Sequence, residues 1–371
     1  MVYHYVTNVT ERCINLTISF MAGRRIQGLD SDRTATQLPS GSVGGWVELG
    51  RTTLGSAGSS IDVTSLADKR YYMVLADIQS SGITNIRMRN NGDTGNNYAS
   101  RYCANGGTDS TIGSFNNMVC HNQNVTVPQF MVSYGTNRSA NEKLWMNHTV
   151  IQNTAGATTA PLREESVCKH AQTSNPIDEI NIIEAETGSF DTNSECVVLG
   201  WDPADTHTSN FWEELASVEL GSDTSTIDSG VFTAKKYLWV QFYAERSATA
   251  DARLRVGNST VDTGSNYAGR TSSNGGSDST DTSTSAVQNI IDSGNDIPNF
   301  GNMFIINNAS NEKLMILHKI AQNTAGAGNA PTRRESVWKW TNTSNQINRI
   351  ELSLSTGNYR SGGILKVWGA D

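Results

Sequence analysis

The stretch NEKLWMNHTVIQNTAGATTAPLREES, residues 141–166, returns as NEKLMILHKIAQNTAGAGNAPTRRES at residues 311–336, an offset of 170. Working outward, TGNNYASRYCANGGTDS from Thr94 is matched by TGSNYAGRTSSNGGSDS from Thr263. KRYYMVL from Lys69 is matched by KKYLWVQ from Lys235, and VLGWD ending at Asp202 by VWGAD ending at Asp371. The blocks keep their order and the offset drifts by only a few residues, so the chain is one domain duplicated in tandem. A repeat of about 165 residues has the size of a whole domain and is far too long for a solenoid or propeller blade, so each copy should build its own core. The reading divides the chain into an N-terminal arm (1–40), a first repeat (41–205) and a second repeat (206–371).

Each copy reads as β. RYYMVLADIQ (70–79) and KYLWVQFYAE (236–245) are aromatic and β-branched runs of the kind that line sandwich interiors. NIRMRN (85–90) and ARLRVG (252–257) alternate cleanly, with Ile86 and Met88 on one face and Arg87 and Arg89 on the other. Roughly eight strands per copy are expected from the turn spacing. SNFWEELASVEL (209–220) could make a short helix, although its counterpart GGWVELGRTTL (44–54) favours strand. The expected fold is all-β: two tandem homologous antiparallel β-sandwich domains, jelly-roll-like, behind an N-terminal arm.

Composition narrows the function classes. Of 371 residues only 17% are charged, well below the usual quarter, and the deficit is filled by Ser, Thr, Asn and Gly. A net charge of −8 argues against a nucleic-acid partner held through its phosphates. No apolar run approaches the length of a membrane-spanning helix, so no membrane insertion is expected. Five cysteines (Cys13, Cys103, Cys120, Cys168, Cys196) all lie before position 197 with no Cys-x-x-Cys spacing, which points to free semi-buried thiols rather than disulfides or zinc. The first twenty residues make a poor secretory signal, and Met21 opens a turn-like stretch suited to being an N-terminus.

Signatures of catalysis are missing: there is no Gly-x-Ser-x-Gly, His-Glu-x-x-His, phosphate loop or dinucleotide fingerprint. The expectation is therefore a non-enzyme with no catalytic residues, no cofactor and no metal. Only His148 and His318 of the six histidines occupy matching positions; His148 shares a strand face with Leu144, Met146 and Val150 and reads as a hydrogen-bonded structural histidine. Glu142 and Glu165 recur as Glu312 and Glu335, which a glycosidase could use, but Lys143 and Arg163 in one copy and Lys313 and Arg333 in the other suggest surface ion pairs. The loops NNGDTGNN (90–97), VDTGSN (261–266), NGGTD (105–109) and NGGSD (274–278) have some calcium-loop character; hairpin turns using Asn and Gly account for them without an ion. Asn-x-Ser/Thr sequons are numerous, as chance dictates in so Asn-rich a chain. QNTAGA (152–157) is repeated letter for letter at 322–327 and is followed by Ala-Pro and a basic element. Gln152, Asn153, Thr154, Arg163, Gln322, Asn323, Thr324, Arg333 and Arg334 are therefore the candidate contact loops, for a subunit or inter-domain contact in preference to a ligand.

The YYM/YLW strand, the TGxNYAxR block, the Asn-Gly-Gly turn and the closing VWGAD strand resemble β-sandwich structural proteins of tailed phages. The likeness is strongest to proteins of uncultured marine phages whose tandem copies carry RRIQG, GGWVELGRTTLG and QNTAGAGNAPxRRE. It spans the chain from about Met21 onward. The resemblance implies a virion-exterior component, either a capsid decoration or head-fibre protein or a tail-associated one, with no catalytic residues to carry over. Its implied partners are its own copies, as a homo-oligomer such as a trimer, and other virion proteins. The alternative is a carbohydrate-binding module or adhesin with glycans as ligands, for which Trp145, Trp201, Trp212, Trp239, Trp338, Trp340 and Trp368 are the candidate platforms, although most of them sit in strands that should be core.

Overall fold

The computed structural model describes residues 45–202, 205, 209–290 and 296–371. The arm and most of the link between the repeats lie outside these residues. The first half contains β1 (Val47–Thr53), β2 (Ser60–Val63), β3 (Tyr71–Ile78), β4 (Ile86–Asn90), β5 (Tyr98–Ala104), β6 (Ser110–Phe115), β7 (Met118–Val119), β8 (Gln129–Thr136), β9 (Lys143–Ile151), β10 (Leu162–His170), β11 (Ile180–Glu184) and β12 (Glu195–Trp201). The second contains β13 (Glu213–Glu219), β14 (Thr226–Asp228), β15 (Tyr237–Ala244), β16 (Ala252–Asn258), β17 (Thr260–Val261), β18 (Tyr267–Ser273), β19 (Ser279–Thr284), β20 (Asn299–Ile306), β21 (Lys313–Ala321), β22 (Thr332–Trp340), β23 (Arg349–Leu354) and β24 (Ile364–Ala370).

Each half is an antiparallel sandwich of one eight-stranded and one four-stranded sheet. The large sheets run β1-β12-β3-β8-β9-β10-β5-β6 and β13-β24-β15-β20-β21-β22-β18-β19, the same order twice. The small sheets run β2-β11-β4-β7 and β14-β23-β16-β17. Among the described residues β7 and β17 are the mismatched strands: where β7 pairs β4, the second half keeps a single bridge between Leu254 and Val287, and β17 is a hairpin partner of β16.

Among the described residues twelve strands per half replace the roughly eight expected, because several are too short for sequence alternation to register. The helix considered over 209–220 is strand β13, paired to β24 with a bulge between Glu214 and Ala216. NNGDTGNN is also not a hairpin: it joins β4 of the small sheet to β5 of the large one. Positive φ at Asn91 and Gly92 turns it, and the Asp93 carboxylate holds it by accepting from the Gly95 amide at 2.7 Å and Asn97 at 2.8 Å. NGGTD is the tight connection expected, with Asn105 and Gly106 at φ 52° and 69° between paired strands β5 and β6. Cys103, Cys120, Cys168 and Cys196 are free thiols, and all but Cys103 are buried.

Inward-facing side chains fill each sandwich: Tyr72, Val74, Met131 and Trp145 in the first, Leu238, Val240, Met303 and Trp338 in the second. The alternate residues of the same strands are apolar as well. Met73, Leu75, Phe130, Val132 and Val150 meet Tyr237, Phe304, Ile306, Leu314, Ile316 and Val337 in a third core, completed by Trp212 and Trp368. The two large sheets thus pack outer face to outer face, with β9 against β21 and β10 against β22. Each large side chain sealed there contributes roughly 1.5–3 kcal/mol of transfer free energy. The seam between the halves is therefore a core in its own right.

Candidate functional site

The QNTAGA loop after β9 owes its shape to its own letters. Asn153 and Gly156 sit at φ 64° and 88°, and the Asn153 side chain donates to the Ala160 carbonyl at 3.0 Å. The second loop repeats this geometry: Asn323 and Gly326 are at φ 66° and 85°, and Asn323 donates to the Ala330 carbonyl at 3.2 Å. Gly at the αL position removes the Cβ penalty that other residues would carry there.

The first loop is gripped by the second half. The Gly156 N–H donates to the Glu312 carboxylate at 2.5 Å, and the Lys339 ammonium donates to the Gln152 carbonyl at 3.2 Å and to that of Thr154. Lys339 also pairs with Glu312 at 3.4 Å, so a buried cation and a buried anion together receive one loop. Burial pushes the Lys339 ammonium down from its usual range, with Glu312 opposing. The Ser283 amide donates to the Ala157 carbonyl at 2.8 Å and Arg270 Nε to that of Pro161 at 3.0 Å.

Beside the loop, Arg163 reaches across the seam to Asp278 at 2.8 Å, with the Asp278 side chain almost wholly buried. Asp278 comes so close to the turn at Gly106 that a Cβ on Gly106 would lie 2.4 Å from its Oδ1 and 2.7 Å from its backbone nitrogen. Arg163 also pairs with Glu165 at 2.5 Å and lies 3.8 Å from Glu335. Burial alone would raise the Glu165 carboxyl, but His148 and the Arg163 guanidinium outweigh it and bring it down to about 2. Glu335 moves the other way, raised by burial and then by the charge on Glu165. At the far edge of the seam, Lys236 pairs with Asp77 at 3.2 Å and Glu195 at 3.0 Å, and the Tyr237 hydroxyl donates to Glu195 at 2.7 Å.

His148 and His318 meet edge-on across the seam with ring centroids 4.3 Å apart. His148 Nδ1 lies 3.9 Å from Glu165 Oε1, and what the strand-face reading leaves out is the His318 ring opposite it. His318 is held as the neutral imidazole, its pKa lowered to about 3 by burial and then by the neighbouring His148 and Arg163. His148, Glu165 and His318 place three potential metal-ligating atoms within 4.8 Å of one another. That donor set suits a divalent transition metal. Arg163 already neutralises the one carboxylate in it.

Of the residues singled out from sequence, Gln152, Asn153, Thr154 and Arg163 belong to the gripped loop and seam. Gln322, Asn323 and Thr324 lie on an exposed loop, and exposed Arg333 pairs with Glu335 at 3.5 Å. Arg334 lies on β22 between Ser273 and Lys319. The Glu142–Lys143 pairing is not realised: Glu142 pairs with Lys169 at 3.0 Å, and the Lys143 ammonium is satisfied by the carbonyls of Asn141, Arg138 and Gln172. Glu165 does pair with Arg163, but at the seam and not on open surface. Sequence reasoning missed Asp278, Glu312 and Lys339 as the receptors of the loop. Asp278 and Glu312 lie in the recurring Asn-Gly-Gly-x-Asp and Asn-Glu-Lys blocks, which read equally as calcium-like turns and as carboxylate or surface ion pairs, whereas Lys339 lies in the VWKW strand that follows the loop.

No known protein family matches this chain, and no curated protein does. Among solved structures, domains LG4-5 of the mouse laminin α1 chain align over 86% of this chain and 88% of theirs, at 12% identity and a TM-score of 0.19. Neisserial surface protein A aligns over 76% of this chain and 96% of its own, at 10% identity and a TM-score of 0.12. Scores this low leave the reading to the chain's own residues.

Proposed function

We propose that the protein is a non-enzymatic structural subunit on the exterior of a tailed-phage virion, a capsid decoration, head-fibre or tail-associated protein that works through protein contacts. The observation carrying this reading is the seam: its apolar core, buried ion pairs and loop-gripping rim are the anatomy of a permanent subunit interface, here formed within one chain. The virion setting comes from the resemblance of the repeated blocks to phage sandwich proteins. Mass spectrometry of gradient-purified particles tests it; the protein should sediment with intact virions at a fixed copy number, and its absence from them would end the reading.

A second reading has its own support. Trp46, Tyr71 and Trp201 line an open groove of about 1110 Å³ on the first half, Tyr71 stacked on Trp201 at 5.2 Å. Aromatic faces of this kind hold sugar rings, so an adhesin or carbohydrate-binding role predicts glycan binding that Trp201→Ala removes, scored on a glycan array.

A further inference from the structure

Two pairs of equivalent residues touch one another across the seam. Tyr134 meets Phe304 with ring centroids 6.3 Å apart, and His148 meets His318 at 4.3 Å, each residue facing its own counterpart in the other copy. A side chain meets its own equivalent only close to a two-fold axis, so an approximate dyad passes between the large sheets at this point. The histidines bring partners to it. His148 is directly opposite Glu165 on β9 and β10, and His318 directly opposite Glu335 on β21 and β22. Side chains so placed share one sheet face. Each sheet therefore presents a His–Glu pair, and the seam sets the two pairs together.

His148, Glu165 and His318 offer one ligand atom each, all within 4.8 Å of one another, and all three residues are half-buried. Around a tetrahedral zinc ion, ligands bound at about 2.0–2.2 Å lie about 3.3 Å apart, so small side-chain rotations close the set. His148 Nδ1 and Glu165 Oε1 are 3.9 Å apart, too far for a hydrogen bond and close to the separation of two ligands on one ion.

Arg163 does not close the site. Its Nη2 and Nε are held by Asp278 at 2.8 and 3.3 Å, while Nη1 lies 2.5 Å from Glu165 and 3.8 Å from Glu335. Three carboxylates thus share this guanidinium and that of exposed Arg333, which leaves negative charge in excess among these groups. A carboxylate has lone pairs enough to accept from Arg163 and to ligate an ion at the same time. Metal-bound carboxylates are ordinarily hydrogen-bonded from behind in this way.

From this geometry we infer that the seam binds one divalent transition-metal ion, with His148 and Glu165 of the first half and His318 of the second as its ligands. Zinc is the ordinary choice for two imidazoles and a carboxylate, with water in the fourth position. Arg163, anchored by Asp278, would position Glu165. The ion would fasten the two halves to each other, since neither half supplies the set. The inference goes beyond the virion reading and does not depend on it.

The test starts from the full chain dialysed against EDTA and titrated with zinc chloride in a calorimeter. One ion should bind per chain, and zinc should raise the melting temperature. His148→Ala, His318→Ala and Glu165→Gln should each weaken binding at least about tenfold, the loss that removing even a group behind a ligand brings. Glu142→Gln, at a carboxylate paired with Lys169 on open surface, should bind zinc as the wild type does. Circular dichroism of the metal-free variants separates a lost ligand from a lost fold. Cobalt(II) gives a readout on the unaltered chain, where it should show the strong visible bands of a four-coordinate ion. Three results would each overturn the inference: no saturable zinc binding by the wild type, affinity indifferent to the ligand changes, or a cobalt spectrum like that of the hydrated ion. Absence of the protein from purified particles would sink the virion role and leave the metal site standing.

Discussion

Residues 152–157 and 322–327 carry the same six letters and the same backbone turn, yet one loop is clamped and the other is exposed. The contrast extends to Val150 against Ile320, Leu314 against Leu144 and Arg163 against Arg333. Local sequence therefore sets the shape of each sandwich, while position in the tandem array sets which of its surfaces is covered. A side chain's energetic weight follows from the second as much as from the first.

The largest break in that comparison should come from a charge placed in the seam. Leu314→Asp buries a carboxylate among Ile316, Phe304 and their neighbours and should cost about 3–5 kcal/mol in urea unfolding, by analogy with large core losses. Leu144→Asp, at the matching open position, should change the stability of the isolated chain by less than about 0.5 kcal/mol. Equal losses would mean that the seam contributes nothing.

Next in size is the buried ion pair. Arg163→Ala strands Asp278 without its cation and should cost about 3 kcal/mol, whereas Arg333→Ala should be nearly silent in the same unfolding measurement. Acid sharpens the comparison further. His318 at the seam and fully buried His121 both have pKa values lowered to about 3, so the unfolded chain takes up protons that the folded chain refuses. Stability from this source is complete above about pH 6.5 and is lost as pH falls toward 3. Glu165, depressed to about 2, adds a loss that begins below about pH 4.3. His318→Asn should flatten part of the acid limb, and His121→Asn the rest, in thermal melts from pH 7 to 3. The smallest effect belongs to the loop glycines. Gly156→Ala and Gly326→Ala both force a side chain into positive φ and should each cost about 1 kcal/mol. A much larger cost at Gly156 alone would show that the clamp tolerates no adjustment.

The tandem duplication and the all-β character were legible in the repeated blocks, and the candidate loop was found because its letters return unchanged. The seam was harder to read. KLMILHKIA and YYMVLADI are apolar on both strand faces, a pattern of burial on two sides that single-sandwich alternation does not need. Yet KLWMNHTVI is almost as apolar, and two of its outward residues, Leu144 and Met146, are open. Which copy of a patch is covered depends on how the two bodies are joined, and no window of sequence contains that. The loop over 90–97 failed for a different reason: its turn chemistry is correct for a reversal, but a reversal can cross between sheets as readily as it can close a hairpin.

In each half the first strand of the large sheet pairs with the last, β1 with β12 and β13 with β24. A unit whose chain enters and leaves side by side can be copied end to end without threading or rearranging anything already folded. The gene could lengthen by whole modules, and the same adjacency marks the place where a circularly permuted or extra module could be spliced.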